Sequence, residues 1–368
     1  MAEIPPASPH RVAQVDLTAI ASNVTRVREK LPPETRLMAV VKAGGYGHGA
    51  LAVAKAALAG GAWGLAVATL EEAADLVDVC PPGRLLVMGG LLPDDASAAA
   101  NVKAMVNCYS RQFAEALAAV ADPSSPVDVH LKVDTGMGRL GCRPEEAADL
   151  ARVIAASRGL RLAGTWTHFA CAESDEQFTR RQFDLFMHVL DEMTQAGIAP
   201  GLRHACNSAA ALRYPEMALD GVRCGIAVYG CEAPGLTPAL SLRTVITHLK
   251  TVRNGDSVGY GATWRAEEET AVATCALGYA DGVSRVRSNR GYALIRGRRA
   301  PLVGLVSMDA ITLDVSGVPD VAVGDVVTLI GNDGAEELKA EDVAGWSETI
   351  SYEVLTSIGP RVVRRYVE

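Results

Sequence analysis

Lys42 follows five apolar residues, Leu37-Met38-Ala39-Val40-Val41, and precedes Gly44, Gly45, Gly47 and Gly49. An amine at the end of a buried strand loses solvation. Its pKa then falls, and it becomes the kind of lysine that forms a Schiff base with a carbonyl. Four glycines within six residues permit tight turns or close approach of the backbone to a ligand. Residues 50–59 read as a helix stopped by Gly60 and Gly61. Strand, amine, glycine-rich turn and helix N-terminus together suit a phosphate held beside an amine. The order excludes a Walker A loop, because the lysine precedes the glycines and no Lys-Ser/Thr pair follows them. The plain alternative is a solvated surface lysine.

Other reactive or charged residues occur at the ends of short apolar runs. Lys132 and Arg139 lie at and after a run over 127–133, and His168 follows 162–167. Asn207 and Ser208 follow 202–206, and Arg223 falls within 221–224. Each has an ordinary explanation alone: His168 as a hydrogen-bonded core histidine, Ser208 as the cap of a helix starting at Ala209, Arg223 as a salt-bridge partner. Their common position at strand ends favours a functional reading, since functional groups of a barrel gather there.

The elements that must position them alternate regularly. Arg11 to Asp16 reads as a short strand, and a helix over 17–30 follows, capped by Asp16 or Thr18. Strands are then expected over 37–41, 64–68, 85–88, 104–107, 127–133, 162–167, 202–206 and 221–224. Helices fit between them, among others over 69–79, 111–119, 144–156 and 175–196. Eight strand–helix units over roughly 240 residues is the tally of a (β/α)8 TIM-type barrel. An open doubly wound sheet is the rival, because alternation does not prove closure. Near Pro234-Gly235-Leu236-Thr237-Pro238 the helical spacers stop. Alternating segments over 242–252, 270–276, 292–295, 311–315 and 326–330 take over, with short helices at 342–346 and 351–358. The expected architecture is therefore α/β, with an N-terminal barrel (1–238) and a C-terminal mostly β domain (239–368). Residues 10–16 can pair as a strand with the second domain.

Composition excludes several classes. A length of 368 residues suits two domains, and 49% hydrophobic residues can bury a large core. A formal charge of −8 argues against a nucleic-acid binder, and the run Arg361-Val362-Val363-Arg364-Arg365 reads as one alternating strand. No apolar run reaches membrane-spanning length, and the proline-rich first nine residues lack a signal-peptide core and read as frayed. The eight cysteines contain no Cys-x-x-Cys pair, so neither a zinc site nor a disulfide framework is indicated. Reduced thiols in a cytoplasmic protein are the expectation.

Several stretches resemble the alanine racemases, pyridoxal-phosphate enzymes built on a barrel. Val41-Lys42-Ala43-Gly44-Gly45-Tyr46-Gly47-His48-Gly49 resembles their cofactor-lysine motif, with Gly44 where Asp or Asn is usual. The stretch from Val129 to Gly141, VHLKVDTGMGRLG, is long and specific. Cys206-Asn207-Ser208-Ala209 and the segment from Val222 to Gly230 match the family's phosphate-side and pyridine-side segments. In the second domain Gly259-Tyr260-Gly261-Ala262-Thr263-Trp264 resembles the segment carrying a second catalytic residue. Gly278-Tyr279-Ala280-Asp281-Gly282, Ser307-Met308-Asp309 and Ser351-Tyr352-Glu353 fit as well. The order is preserved from near Val15 to the last residues.

The resemblance implies interconversion of L- and D-alanine, supplying D-alanine for peptidoglycan, with pyridoxal 5'-phosphate on Lys42. Racemisation removes a proton from one face of the α-carbon and returns one to the other, so two acid–base groups on opposite faces serve it most simply. Lys42 would serve one face. Tyr260 would serve the other, with His168 as its hydrogen-bond partner offsetting tyrosine's ordinary pKa of about 10. Arg223 would stand behind His168 and keep the cofactor's ring nitrogen unprotonated. Tyr46, Ser208, Gly225, Ile226 and Tyr352 would hold the phosphate, and Arg139 with the backbone of Met308 the substrate carboxylate. Lys132, which in the family can be carbamylated, Asp309, Tyr279 and Arg285 are the implied supporting residues. Leu305 replaces an arginine usual in the family's substrate corridor. A homodimer with active sites shared between chains is also implied. Racemisation of serine or another small amino acid is the near alternative. A non-racemase pyridoxal-phosphate carrier would end with the barrel. A basic amino-acid decarboxylase would need an acidic site and a second-domain cysteine for which no motif is present.

Overall fold

The structure, a computed structural model, describes residues 10–368, so the expected frayed end at 1–9 lies outside the described residues. The chain divides into two compact units. One contains Ile20–Gly45 and Ala50–Val228, the other residues 10–19, Tyr46–Gly49 and Tyr229–Glu368. Strand β1 (Arg11–Asp16) is the first described element. The helix Leu17–Arg28 follows directly, and the Ala19 N–H donates to Asp16 Oδ1 at 2.8 Å, so Asp16 is the cap.

Eight parallel strands close the first unit into a barrel: β2 (Arg36–Val40), β3 (Gly64–Val67), β4 (Leu85–Val87), β5 (Met105–Cys108), β6 (Val127–Lys132), β7 (Leu160–Trp166), β8 (Leu202–His204) and β9 (Gly221–Cys224). Closure is explicit in the register, with Leu37 opposite Val222 and Met38 opposite Arg223. The open-sheet alternative is thereby excluded. β3, β4, β5 and β9 are buried along their whole length; β3 and β4 accordingly read as continuous apolar runs rather than alternating ones, whereas β5 and β9 carry the buried Asn107 and Arg223. Helices such as Ala50–Ala59, Arg111–Val120, Ala147–Ala156 and Glu176–Gln195 lie between the strands in sequence. The last three carry a buried apolar face, for example Phe113, Ala114 and Leu117.

The second unit is built on a 9-stranded sheet around β10 (Leu240–Val252). β10 pairs antiparallel with β1, Val326–Asp333 and Thr270–Cys275, changing partner along its length through two register shifts. β1 also pairs in parallel with Val363–Val367, the expected C-terminal strand. Four short strands escaped the sequence reading: Arg298–Pro301, Glu336–Leu338, and Ser257–Val258 paired with Trp264–Arg265. Arg298–Pro301 is a polar edge strand, with three of its four residues exposed, so no apolar alternation marks it. All eight cysteines are free, seven of them buried. Among the described residues no helix is long and apolar enough to cross a membrane.

Candidate active site

Lys42 stands two residues beyond the end of β2, at the start of an unusual turn. Ala43, Gly44, Gly45 and Tyr46 all have positive φ, from 51° to 64°, which makes a short left-handed turn. Such backbone costs an ordinary L-residue roughly 1–2 kcal/mol, so glycine at the middle two positions is expected. A Cβ on Gly44 would meet nothing within 4 Å, and space does not dictate that residue; the φ of 62° does. At Gly47 the reason is different, since a Cβ there would lie 2.1 Å from the Leu355 carbonyl oxygen. The turn is clamped by Glu72, whose Oε1 accepts from the Ala43 N–H at 2.6 Å while Oε2 accepts from the Ala68 N–H at 2.8 Å. The Lys42 amine is pushed below the ordinary lysine pKa, chiefly by burial and then by the Arg139 charge, with Glu72 opposing. A larger fraction is then unprotonated near neutrality, as a nucleophilic lysine requires.

Strands β6 to β9 carry a connected row of buried polar side chains. Arg223 is 2% exposed. Its Nη1 donates to His204 Nδ1 at 2.7 Å, and its Nη2 to the Thr167 and Ala205 carbonyls at 2.8 and 2.9 Å and to His168 Nδ1 at 3.2 Å. His204 Nε2 and His130 Nδ1 are 2.9 Å apart. Because Arg223 can only donate, both histidines beside it accept at Nδ1, and each neutral ring carries its proton on Nε2. His168 is held neutral: burial, then the charges of Arg223, Lys132, Arg139 and Lys42, push its pKa well below 6.5. Its Nε2–H is left as a donor. Arg223 Nε is buried with no hydrogen-bond partner, and it suits an acceptor nitrogen of a bound ring.

Lys132, 2% exposed, lies with its Nζ 4.2 Å from the centre of the Trp166 ring, and the Arg223 guanidinium carbon is 4.5 Å from the same ring. Burial first, then Arg223 and Arg139, lower the Lys132 pKa to about 7, with Asp134 opposing. The mutual repulsion of these cations is therefore relieved by losing a proton. Asp134 accepts from the N–H groups of Gly136, Met137 and Gly138 at 2.8–3.1 Å, folding the turn that leads to the exposed Arg139.

The ordinary explanation of Ser208 as a helix cap does not hold. Asn207 is the cap, its Oδ1 accepting from the Ala210 N–H at 3.0 Å. Ser208 Oγ instead accepts from the N–H groups of Gly225 and Ala227, at 2.9 and 3.3 Å. A hydroxyl and a loop of N–H groups thus converge at the ends of β8 and β9, beside Ile226, and could receive an anion.

The second unit holds the other expected residues. Tyr46 stacks on Tyr229 at 4.7 Å and lies tilted against Tyr352 at 5.9 Å. Tyr260 follows a short strand and is 72% exposed. It lines a cavity of about 400 Å³ with Leu305, Ser307 and Thr312. The Tyr279 and Ala280 N–H groups donate to the Ser307 and Met308 carbonyls, each at 3.0 Å. Arg361 ties Asp309 at 2.7 Å to Asp281 at 2.8 and 2.9 Å. Arg285 is exposed on a single-turn helix, Arg285–Arg287. The sequence reading missed Glu72, His130, His204 and Trp166. Glu72 had a signal, the capping box Thr69-x-x-Glu72. The other three lie inside strands and look like core.

The sequence matches the family described as alanine racemase, N-terminal domain, over residues 15–233, and the alanine racemase C-terminal domain over 239–366. With the closed barrel and the β unit in that order, the chain belongs to the alanine racemase family. It is 42% identical over 367 residues to the alanine racemase of Desulforamulus reducens, covering 96% of this chain and 98% of the relative. It is 37% identical over 366 residues to that of Methanococcus maripaludis, covering 96% and 98%. The crystal structure of the Bacillus anthracis alanine racemase with bound L-Ala-P matches with a TM-score of 0.91 at 36% identity, over 99% of this chain and 96% of that one. The alanine racemase of D-cycloserine-producing Streptomyces lavendulae matches at 0.92 and 36%, over 99% and 98%. This protein is accordingly an enzyme, an isomerase.

Proposed function

We propose that this enzyme interconverts L- and D-alanine with pyridoxal 5'-phosphate bound at Lys42, and that Lys42 and Tyr260 act on opposite faces of the α-carbon. The observation that carries the cofactor reading is the buried, unpaired Nε of Arg223 on the barrel that also bears the low-pKa Lys42. When bound, the cofactor supplies a sink for the electron pair left as the α-proton departs. Lys42 takes or returns that proton on one face. Tyr260 does so on the other, where the His168 Nε2–H, fixed by Arg223 at Nδ1, favours the phenolate by donating to it. Arg223 would offer its unpartnered Nε–H to the ring nitrogen and, as a cation, would keep that nitrogen unprotonated.

The phosphate falls to Ser208, the backbone at Gly225 and Ile226, and the hydroxyls of Tyr46 and Tyr352. Arg139 takes the substrate carboxylate by its two-pronged guanidinium, with the Met308 backbone. Lys132 sets the charge around Arg139. Asp309, through Arg361, steadies the Met308 turn, and Tyr279 and Arg285 serve substrate access. We assign the two functional domains to 1–238 and 239–368, with residues 10–16 belonging by their pairing to the second. The reaction is placed in the cytoplasm, supplying D-alanine for peptidoglycan. Leu305, an apolar residue in the Tyr260 cavity, leaves room for serine or another small amino acid as a second substrate.

The enzyme acts as a homodimer in which Lys42 of one chain works with Tyr260 of the other. The high exposure of Tyr260 within its own chain supports this, because a base left in water is a poor one. Unfolding Lys42→Ala and Tyr260→Ala variants together and letting them reassociate tests it. About half the dimers are mixed and carry one intact site of two, so about a quarter of wild-type racemisation returns. No recovery, with mixed dimers shown to be present, refutes the shared site.

A further inference from the structure

The β unit contains a second cavity, of about 360 Å³, a volume that suits a small ligand. Val283, Leu329, Val343 and Val354 give it apolar walls. Arg287 also lines it and is only 1% exposed. Its Nη2 donates to the Tyr292 carbonyl at 3.0 Å, its guanidinium carbon lies 5.3 Å from the Trp346 ring centre, and its Nε is buried without a partner. Among the described residues no carboxylate forms an ion pair with Arg287. Burial lowers its pKa to about 10, with no acidic neighbour acting to raise it.

Two glutamates line the same cavity, but both are exposed and neither pairs with Arg287. Glu348 pairs with Arg290, and Glu353 accepts from the Thr349 hydroxyl. Arg285, on the same helical turn, lines the cavity and is likewise without an ion-pair partner among the described residues. A buried charge without a counter-charge is strongly unfavourable, and an entering anion relieves it. Apolar walls around a guanidinium do not suit inorganic phosphate, which would lose hydration against them. They suit a planar carboxylate attached to hydrocarbon.

We infer that this cavity binds a small organic carboxylate with an aliphatic tail, held by Arg287. Of its lining residues only Tyr279 and Arg285 are among those assigned to racemisation, and Arg287, which holds the ligand, is not. Isovalerate is the probe, with binding sites per chain counted by equilibrium dialysis on the full-length holoenzyme. Wild type is expected to bind it. Arg287→Leu is expected to lose that site, and Arg287→Lys, which keeps the charge but not the fork, to weaken it by about tenfold. Should Arg287→Leu fail to fold, Arg287→Lys decides alone. In Arg139→Ala, which removes the guanidinium assigned to the substrate, the site should persist. No binding by wild type, equal affinity in the Arg287 variants, loss in Arg139→Ala alone, or displacement by inorganic phosphate at equal concentration would each overturn the inference.

Discussion

Glu72→Ala should loosen the turn that aims Lys42. Ala43 and Tyr46 hold left-handed backbone without being glycine, at φ of 53° and 51°. At roughly 1–2 kcal/mol each, this stores about 2–4 kcal/mol. Glu72 offsets it with two good bonds, to the N–H groups of Ala43 and Ala68, and a weaker one of 3.4 Å to Thr69. Bonds to a charged group contribute about 1.5–3 kcal/mol each, and partial exposure puts these near the lower end, for about 3 kcal/mol in all. Clamp and strain are therefore nearly balanced, and without the carboxylate the turn relaxes. Two measurements follow. Urea unfolding should show a loss of about 2–3 kcal/mol, somewhat less than the clamp because relaxation returns part of the strain. Loss of the opposing charge should also move the pH midpoint for Lys42 labelling by an amine-reactive reagent downward, since Glu72 raises that pKa. Unchanged stability together with an unchanged midpoint would refute the reasoning.

Gly44→Asn should be tolerated and stabilise by up to about 1 kcal/mol, because the site has room, Asn accepts left-handed backbone, and the unfolded chain loses freedom; thermal unfolding checks it, and a large destabilisation would mean the turn needs glycine. Lys132, with a pKa of about 7, is largely unprotonated above that pH and open to carbon dioxide, so labelled carbon dioxide should give a carbamate NMR signal that is absent in Lys132→Met and fades as pH falls below about 7. Leu305→Arg should change KM or the relative rates for alanine and larger amino acids, because it alters both field and width of the Tyr260 cavity; an unaltered substrate panel would make Leu305 neutral.

The barrel strands were legible because burial on both faces leaves apolar runs bounded by turns, as at 37–41 and 64–68. Their closure was not, since pairing of Leu37 with Val222 is a tertiary fact that no local pattern encodes. Lys42 stood out because its glycines are so dense. His130, His204 and Trp166 did not, because an inward-facing polar residue in a strand carries no mark of what it touches. Asn207 and Ser208 are both good caps, and only the loop at Gly225 decides which hydroxyl or amide is free for another task. Arg287 carries no mark in the sequence that sets it apart from a surface arginine. Its burial depends on Trp346, far along the chain.

The position of β1 has a consequence for how the protein is made. β1 is the first described strand to leave the ribosome, yet its two neighbours are β10 and Val363–Val367, the last described strand. The barrel sequence between them is complete long before the final partner exists. During synthesis the nascent chain therefore carries a strand with two open edges, the condition that invites pairing with other chains. Its own sequence, RVAQVD, answers this with an arginine at one end and an aspartate at the other around a short apolar centre. A circular permutant beginning near residue 239 would synthesise β10, Val363–Val367 and β1 before the barrel. It should aggregate less during translation, and refold faster, than the natural order.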